Sequence, residues 1–190
     1  MQFYSIRDIG SLPQLSKLPV ESRFAIRVVA QVFPFRTNNY VVEELIDWSR
    51  VPDDPMFRLT FPQRDMLRSE EFDSLAGAVR DHDRGEVNRI VTAIRSRLNP
   101  HPAGQADANV PSLDGQSVPG LQHKYRETAL VFPSAGQTCH AYCTYCFRWP
   151  QFVRTEALKF ATDRAFTFLN YLRRQTDITD VLITGGDPLI

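Results

Sequence analysis

The sequence has no excess of charge of either sign. Its 190 residues contain 22 Lys and Arg against 22 Asp and Glu, which gives a formal net charge of zero. Without a net field, the chain as a whole is not attracted to nucleic acid, to an anionic membrane or to acidic substrates. We therefore expect no nucleic-acid partner, and any charged ligand has to be held by local groups.

Long apolar stretches are also absent. The first residues, Met1 to Tyr4, lack a basic segment followed by an apolar one, and no window approaches the about 18 uninterrupted apolar residues that a membrane helix needs. These absences predict a cytoplasmic protein without a membrane partner. A hydrophobic content of 43% in 190 residues is sufficient for a buried core.

Cysteine is scarce and confined to one place. The chain has three cysteines, Cys139, Cys143 and Cys146, all within eight residues. Pairing an odd number would leave one thiol over, so the pattern argues against a disulfide framework.

Apolar periodicity divides the chain into three parts. Residues 1–99 read as a helical N-terminal region, and residues 100–120, rich in Pro, Gly, Asp, Asn and Ser, read as a linker or loop. Residues 121–190 form the third part. Apolar residues at three- and four-residue spacing predict N-terminal helices over Glu21–Val32, Val41–Trp48, Glu70–Arg80 and Glu86–Leu98.

The third part predicts a βαβ unit. Two short apolar runs, Ala129–Phe132 and Val181–Thr184, flank an amphipathic stretch from Thr155 to Arg173. One such unit cannot cover both faces of its strands, so the fold class is α/β with further units expected. Because no helix follows the second strand, we expect a C-terminally truncated piece of a longer protein.

The cysteine spacing, Cys139-x3-Cys143-x2-Cys146, is suited to an iron–sulfur cluster on a loop. Three thiolates on a four-iron cluster leave one iron open for a small molecule. Other interpretations remain: one buried helix face, a disulfide with a free thiol, or a zinc site completed by His82, His101, His123 or His140.

Three stretches resemble the lysine 2,3-aminomutase family of radical S-adenosylmethionine enzymes. They are the cysteine segment through Cys143–Arg148, the earlier segment Gly120–Tyr125, and the segment Thr184–Leu189 that carries two glycines. The resemblance is strong over residues 120–190. It implies that the βαβ unit begins a partial (β/α) barrel of the radical S-adenosylmethionine type.

The resemblance also implies residue roles. Cys139, Cys143 and Cys146 would bind a [4Fe-4S] cluster, and Tyr145 would lie near the adenine of S-adenosyl-L-methionine. The motif Gly185-Gly186-Asp187 would contact the methionine amino group. Arg148 would hold a substrate carboxylate, and a planar guanidinium suits that task. No side chain is assigned as catalytic.

Pyridoxal 5'-phosphate is the family's second cofactor. Lys124 and Tyr125 match positions that hold its phosphate, but Thr128 stands where the family usually has an arginine, and Arg126 is a candidate substitute. Among Lys17, Lys124 and Lys159, none matches the family's pyridoxal-binding lysine, which lies beyond residue 190.

Three functions therefore remain open. The first is a pyridoxal-dependent amino-acid aminomutase, with lysine as the default substrate. The second is a relative that lost pyridoxal phosphate and performs another radical reaction, and the third is a zinc-binding, non-catalytic module. For the enzymes we expect an amino-acid substrate and a reductant of the flavodoxin or ferredoxin type. A homo-oligomer is one candidate for the assembly.

Overall fold

The computed structural model of the chain describes residues 1–33, 35–98, 107–142 and 160–186. The described residues form two compact units, one made of residues 1–98 with 140–142 and the other of residues 107–139 with 160–186. Together they make a mixed α/β protein. Across these ranges, no helix combines the length and the apolar character that a membrane crossing requires.

The first unit is mainly helical. Its α-helices are α1 (Val20–Val29), α2 (Pro55–Thr60), α3 (Ser69–Arg80) and α4 (Arg84–Leu98). Three of the four predicted helices are thereby confirmed, with α1 ending three residues early. Short 3-10 turns occupy Ile9–Ser11, Pro13–Lys17 and Arg64–Met66.

Two apolar clusters stabilise this unit. One joins α1, α3 and α4 through fully buried side chains such as Val28 and Leu75. The other is aromatic: Phe57 stacks on Phe61 with ring centroids 4.8 Å apart, and Trp48 meets both rings edge-on. Burial of large apolar side chains of this kind is the main favourable contribution to folding.

The helix predicted over Val41–Trp48 is confirmed only for its first five residues, and these are π-helical. Only a π-helical turn, Val41–Leu45, forms, and Ile46 is already extended at φ −90° and ψ 121°. The Trp48 indole N–H donates to the Val42 carbonyl at 2.7 Å, which folds the chain back and brings the ring into the aromatic cluster. The unit also contains an antiparallel pair that the sequence did not predict, β1 (Phe3–Ser5) with β2 (Arg36–Asn38).

The second unit contains a three-stranded sheet. Its strands are β5 (Leu121–Tyr125), β6 (Thr128–Val131) and β7 (Asp180–Ile183), with β5 antiparallel and β7 parallel to β6. Helix α5 (Ala165–Arg174) lies between β6 and β7 in the chain, so the predicted βαβ unit is confirmed. A small hairpin, β3 (Ser112–Leu113) with β4 (Gln116–Ser117), precedes the sheet.

The predicted helix from Thr155 begins too early. Residues 155–159 lie outside the described part, and residues 160–164 are not helical. Instead Thr162 donates its N–H to the Phe132 carbonyl at 2.8 Å and accepts from the Ser134 N–H at 2.9 Å. A Cβ on Gly120, at φ +77°, would lie 2.6 Å from the Thr162 backbone nitrogen. Only glycine at position 120 therefore allows the strand-like segment around Thr162 to pack this closely.

Candidate cofactor site at the carboxyl edge of the sheet

Two loops leave the same edge of the sheet, because β6 and β7 are parallel. Beyond β6 the chain passes through Pro133 and a 3-10 turn, Ser134–Gly136, to Cys139. Beyond β7 it passes through Thr184 to the glycine pair Gly185-Gly186. In α/β folds this carboxyl edge of parallel strands is where ligands bind.

Backbone hydrogen bonds hold the two loops together. The Thr184 N–H donates to the Val131 carbonyl at 2.9 Å, and the Gly186 N–H donates to the Gly136 carbonyl at 3.0 Å. The second bond lies beyond the end of the β6–β7 register, at Val131 and Ile183, so the pairing extends from the strands into the loops.

The glycine pair fits against the segment that leads into Cys139. A Cβ on Gly185, whose φ is +134°, would collide with the side-chain amide of Gln137, and a Cβ on Gly186 would collide with the backbone of Thr138. Gly186 therefore needs glycine for its close approach to backbone, whereas Gly185 needs it for its backbone conformation, with the movable Gln137 amide packed against it.

Gln137 is a residue that the sequence reasoning missed. Its side-chain Nε2 donates to the Pro133 carbonyl at 2.9 Å and lies 3.5 Å from the Thr184 carbonyl, so it bridges the two loops. Its Oε1 is buried and has no hydrogen-bond partner among the described residues. No sequence signal marked it, since glutamine in a polar loop is ordinary.

The predicted cluster and adenosyl-donor residues are only partly described. Cys139 is half-buried in the second unit, three residues after Gly136. Gly185 and Gly186 lie against the segment just before it. The predictions for Cys143, Tyr145, Cys146, Arg148 and Asp187 fall outside the described residues.

The residues predicted to hold a phosphate lie at the other edge of the sheet. Lys124 and Tyr125 end β5, beside the start of β6, and both side chains are exposed. The Lys124 ammonium lies 5.3 Å from the Tyr125 ring centroid. The structure thus brings these two together but does not bring them to the edge that carries the glycine pair.

Arg126, the candidate substitute for the missing arginine, already forms an ion pair. The Arg126 guanidinium forms an ion pair with the Asp177 carboxylate, with both N···O distances at 3.2 Å. Both side chains are largely exposed, so the pair is weak and an anion of higher charge would compete with it. Thr128 pairs with Tyr125 across the hairpin.

Both ring nitrogens of His123 form hydrogen bonds within the second unit. Its Nδ1 accepts a hydrogen bond from the Tyr171 hydroxyl at 2.6 Å when Nε2 carries the proton, and Nε2 then donates to the Arg126 carbonyl at 3.2 Å. Burial raises the pKa of Tyr171, which keeps this hydroxyl protonated as the donor. The contact fixes β5 to α5 and leaves neither ring nitrogen for a metal.

His82, another candidate ligand in the zinc hypothesis, gives that hypothesis no support. His82 is exposed, in a turn at φ 55° between α3 and α4. Among the residues that the structure describes, which include only one of the cysteines, no group of three or more His, Cys, Asp and Glu side chains could hold a metal ion.

Sequence comparison relates the chain to proteins with one named activity. It is 31% identical over 185 residues to an Aquifex aeolicus protein named "Putative L-lysine 2,3-aminomutase", covering 97% of this chain and 39% of that protein. It is 35% identical over 75 residues to the L-lysine 2,3-aminomutase of Escherichia coli, covering 38% of this chain and 20% of the relative. No family model matches the chain.

A third relative agrees with these two. The L-lysine 2,3-aminomutase of Acetoanaerobium sticklandii is 29% identical over 99 residues, which are 52% of this chain and 23% of that protein. The chain therefore spans well under half the length of the relatives it matches. The similarities suggest the lysine 2,3-aminomutase family.

The described residues fit the adenosyl donor that this family implies. S-adenosyl-L-methionine carries an ammonium group, which needs carbonyl acceptors. The carboxyl edge offers the buried Oε1 of Gln137, with no hydrogen-bond partner among the residues described, next to the glycine pair. An acceptor that is buried without a partner costs about 1–3 kcal/mol, which a bound ammonium would offset.

Proposed function

We propose that this chain is the cluster-binding and adenosyl-donor-binding part of a radical S-adenosylmethionine enzyme of the lysine 2,3-aminomutase family. The observation that carries the proposal is the packing of Gly185-Gly186 on the segment that enters Cys139. Two stretches 46 residues apart in sequence, Cys139 and Gly185, are thereby joined at one edge of a parallel strand pair. The 31% identity over nearly the whole chain points to the same family.

Each residue then has a binding or positioning role. Cys139, Cys143 and Cys146 would hold a [4Fe-4S] cluster and leave one iron open. The backbone at Gly185, Gly186 and Asp187, with Gln137 beside it, would accept hydrogen bonds from the ammonium of S-adenosyl-L-methionine. Tyr145 would pack on its adenine, and Arg148 would hold the substrate carboxylate with two parallel N–H donors.

When bound, the cluster and S-adenosyl-L-methionine would supply a 5'-deoxyadenosyl radical that takes a hydrogen atom from the substrate. The residues of this chain would orient the donor: the two loops are bonded through Thr184 and Gly186, and this pairing would set the distance between the cysteine segment and the bound ammonium. The rest of the sheet would come from other strands, as a (β/α) barrel.

We also propose a substrate and a second cofactor. The substrate would be an amino acid, lysine by default, and the phosphate of pyridoxal phosphate would bind at Lys124 and Tyr125. Both side chains are exposed. The Lys124 ammonium lies beside the Tyr125 ring and could donate charge-assisted hydrogen bonds to a phosphate. A relative without pyridoxal phosphate is the alternative, because Thr128 stands where the family usually has an arginine and the candidate substitute, Arg126, is paired with Asp177 in a weak, exposed ion pair. A small electron-transfer protein would be the reductant.

Anaerobic reconstitution with iron and sulfide tests the proposal. We expect about four iron atoms per chain in the unsubstituted protein, and loss of the cluster from Cys139→Ala, Cys143→Ala and Cys146→Ala. His82→Ala is the matched control, since the side chain is exposed and only the zinc hypothesis gives it a role. Zinc without iron, or full iron retention in the cysteine variants, contradicts the proposal.

A further inference from the structure

A segment between two of the predicted cluster ligands packs against the helical unit. Residues His140 to Tyr142 follow Cys139 and precede Cys143, and they belong to the first unit, whereas Cys139 belongs to the second. Their contacts with residues far away in the sequence are specific, and none of the family motifs includes them.

The backbone contact satisfies a helix end. The Tyr142 N–H donates to the Leu59 carbonyl at 2.8 Å. Leu59 is in the last turn of α2, where carbonyls lack intrahelical partners. The residue that would bond it in a longer helix, Gln63, directs its N–H to the Met66 sulfur instead, at 3.2 Å. Pro62 prevents the helix from continuing, so the Leu59 carbonyl is left for Tyr142.

Side-chain contacts flank this hydrogen bond. The Tyr142 ring meets the Phe33 ring edge-on, with centroids 6.2 Å apart and planes at 75°. The Tyr142 hydroxyl is buried without a hydrogen-bond partner among the described residues, and burial raises its pKa far above the ordinary value. The ring, rather than the hydroxyl, therefore carries the contact.

His140 makes a second aromatic contact. Its ring lies 5.9 Å from the Phe3 ring of β1, and the Arg36 guanidinium of β2 lies 4.5 Å from the centroid of the same Phe3 ring. Strands β1 and β2 pair with each other, so this contact is held by a hairpin. Two aromatic contacts and one backbone bond thus fix three consecutive residues.

We infer that the contacts of residues 140–142 restrain the loop that joins two of the proposed cluster ligands and so favour cluster binding, with Tyr142 as the main positioning residue. The inference rests on the proposed function. Cys139 directly precedes this segment in the sequence and Cys143 directly follows it, so a restraint on the segment limits the conformations that the loop between the two cysteines samples before iron binds. Side chains that orient metal ligands in this indirect way commonly change metal affinity about 10- to 100-fold when they are removed.

The test compares three variants of the 190-residue chain after anaerobic reconstitution. Tyr142→Ala removes the ring, Tyr142→Phe keeps it, and Tyr40→Ala is the matched control because Tyr40 is 54% exposed in the same unit. The readouts are the rate of iron loss to a chelator and hydrogen exchange at the amide of residue 142. Circular dichroism verifies that each variant is folded.

We expect Tyr142→Ala to lose iron about 10- to 100-fold faster and to lose amide protection, while Tyr142→Phe and Tyr40→Ala match the unsubstituted chain. If folded Tyr142→Ala retains its cluster normally, or if the amide is unprotected in the unsubstituted chain, the inference is wrong while the proposed function stands. If the unsubstituted chain binds no cluster, the proposed function fails and the inference fails with it. If Tyr142→Phe behaves like Tyr142→Ala, the assignment of the contact to the ring is wrong.

Discussion

Replacing the two glycines of the carboxyl edge with alanine gives two different kinds of damage. Gly185→Ala forces a Cβ onto a residue at φ +134° and into the Gln137 side-chain amide. Backbone strain of this kind costs about 1–3 kcal/mol, and overpacking adds about 1–3 kcal/mol. Because the Gln137 amide can rotate away, we expect a loss in the lower half of the summed range.

Gly186→Ala collides with backbone instead. The nearest atoms to its Cβ belong to the Thr138 main chain, which cannot rotate away. Separation of the loops would also weaken the bond from the Gly186 N–H to the Gly136 carbonyl, which contributes about 1 kcal/mol. Overpacking adds about 1–3 kcal/mol. The loss in free energy of unfolding is therefore similar in size to that of Gly185→Ala but has a different cause.

A second substitution separates the two causes. Gln137→Ala removes the group that Gly185→Ala strikes, so it should recover the overpacking part in that background and nothing in the Gly186→Ala background. Gly115→Ala is the control for backbone strain alone, since Gly115 has φ +78° and open space around it. We expect it to cost about 1–2 kcal/mol.

Urea unfolding followed by circular dichroism gives these free energies, and hydrogen exchange at the Thr184 and Gly186 amides gives the local effect. If Gln137→Ala rescues both glycine variants equally, or neither, the packing described for the two loops is wrong. If Gly185→Ala costs no more than Gly115→Ala, the Gln137 contact does not exist in solution.

Four further outcomes follow from individual contacts. Hydrogen bonds from the Arg97 side chain and the Arg68 N–H outweigh burial and lower the pKa of Glu71. Glu71→Gln should therefore lower the free energy of unfolding by about 1 kcal/mol at neutral pH. This difference should disappear as the pH falls through the lowered pKa of Glu71, and urea unfolding at several pH values measures it. Asp54→Ala should destabilise α2 by about 1–2 kcal/mol, because its carboxylate accepts from the Phe57 N–H at 2.8 Å; an unchanged unfolding midpoint would contradict this. Gly77→Ala, inside α3 with open space at its Cβ, should stabilise by about 1 kcal/mol, and destabilisation would show hidden crowding. In a full-length protein, Thr128→Arg should tighten pyridoxal phosphate about tenfold or more in a spectroscopic titration, and unchanged affinity would mean that Arg126 leaves Asp177 for the phosphate.

The sequence predicted the elements whose apolar pattern is visible in a short stretch of residues. Helices α3 and α4 were predicted because their apolar residues recur at helical spacing, and β6 and β7 because short apolar runs stand out from polar surroundings. Two of the unpredicted strands are polar: β2 reads Arg-Thr-Asn, and β5 is mostly polar after Leu121. Strand β2 also pairs with a partner distant in sequence, β1, whereas β5 pairs with β6 in a hairpin.

The site was predictable as motifs but not as contacts. The glycine pair and the cysteine spacing are visible in the sequence. Three contacts of the site join residues 47 to 83 positions apart: Gln137 with Thr184, Thr138 with Gly186, and Leu59 with Tyr142. No local pattern reports such a contact.

The exposed strand at the sheet edge bears on the barrel proposal. Within β7, Val181, Leu182 and Ile183 are 41%, 53% and 62% exposed, which is unusual for a strand in a parallel pair. If further strands complete a barrel, the 190-residue chain should self-associate through this edge, and Leu182→Lys should reduce the association in light scattering. A monodisperse chain with a sharp cooperative melt would contradict the barrel proposal.

The most direct test of the central claim is the low-temperature electron paramagnetic resonance spectrum of the reduced, reconstituted protein. We expect the signal of a four-iron cluster that changes shape when S-adenosyl-L-methionine is added, because the three cysteines would leave one iron open for the donor. Gly186→Ala should weaken this response while Gly115→Ala leaves it intact. A protein that binds no such cluster, or a cluster signal that S-adenosyl-L-methionine leaves unchanged, would contradict the account.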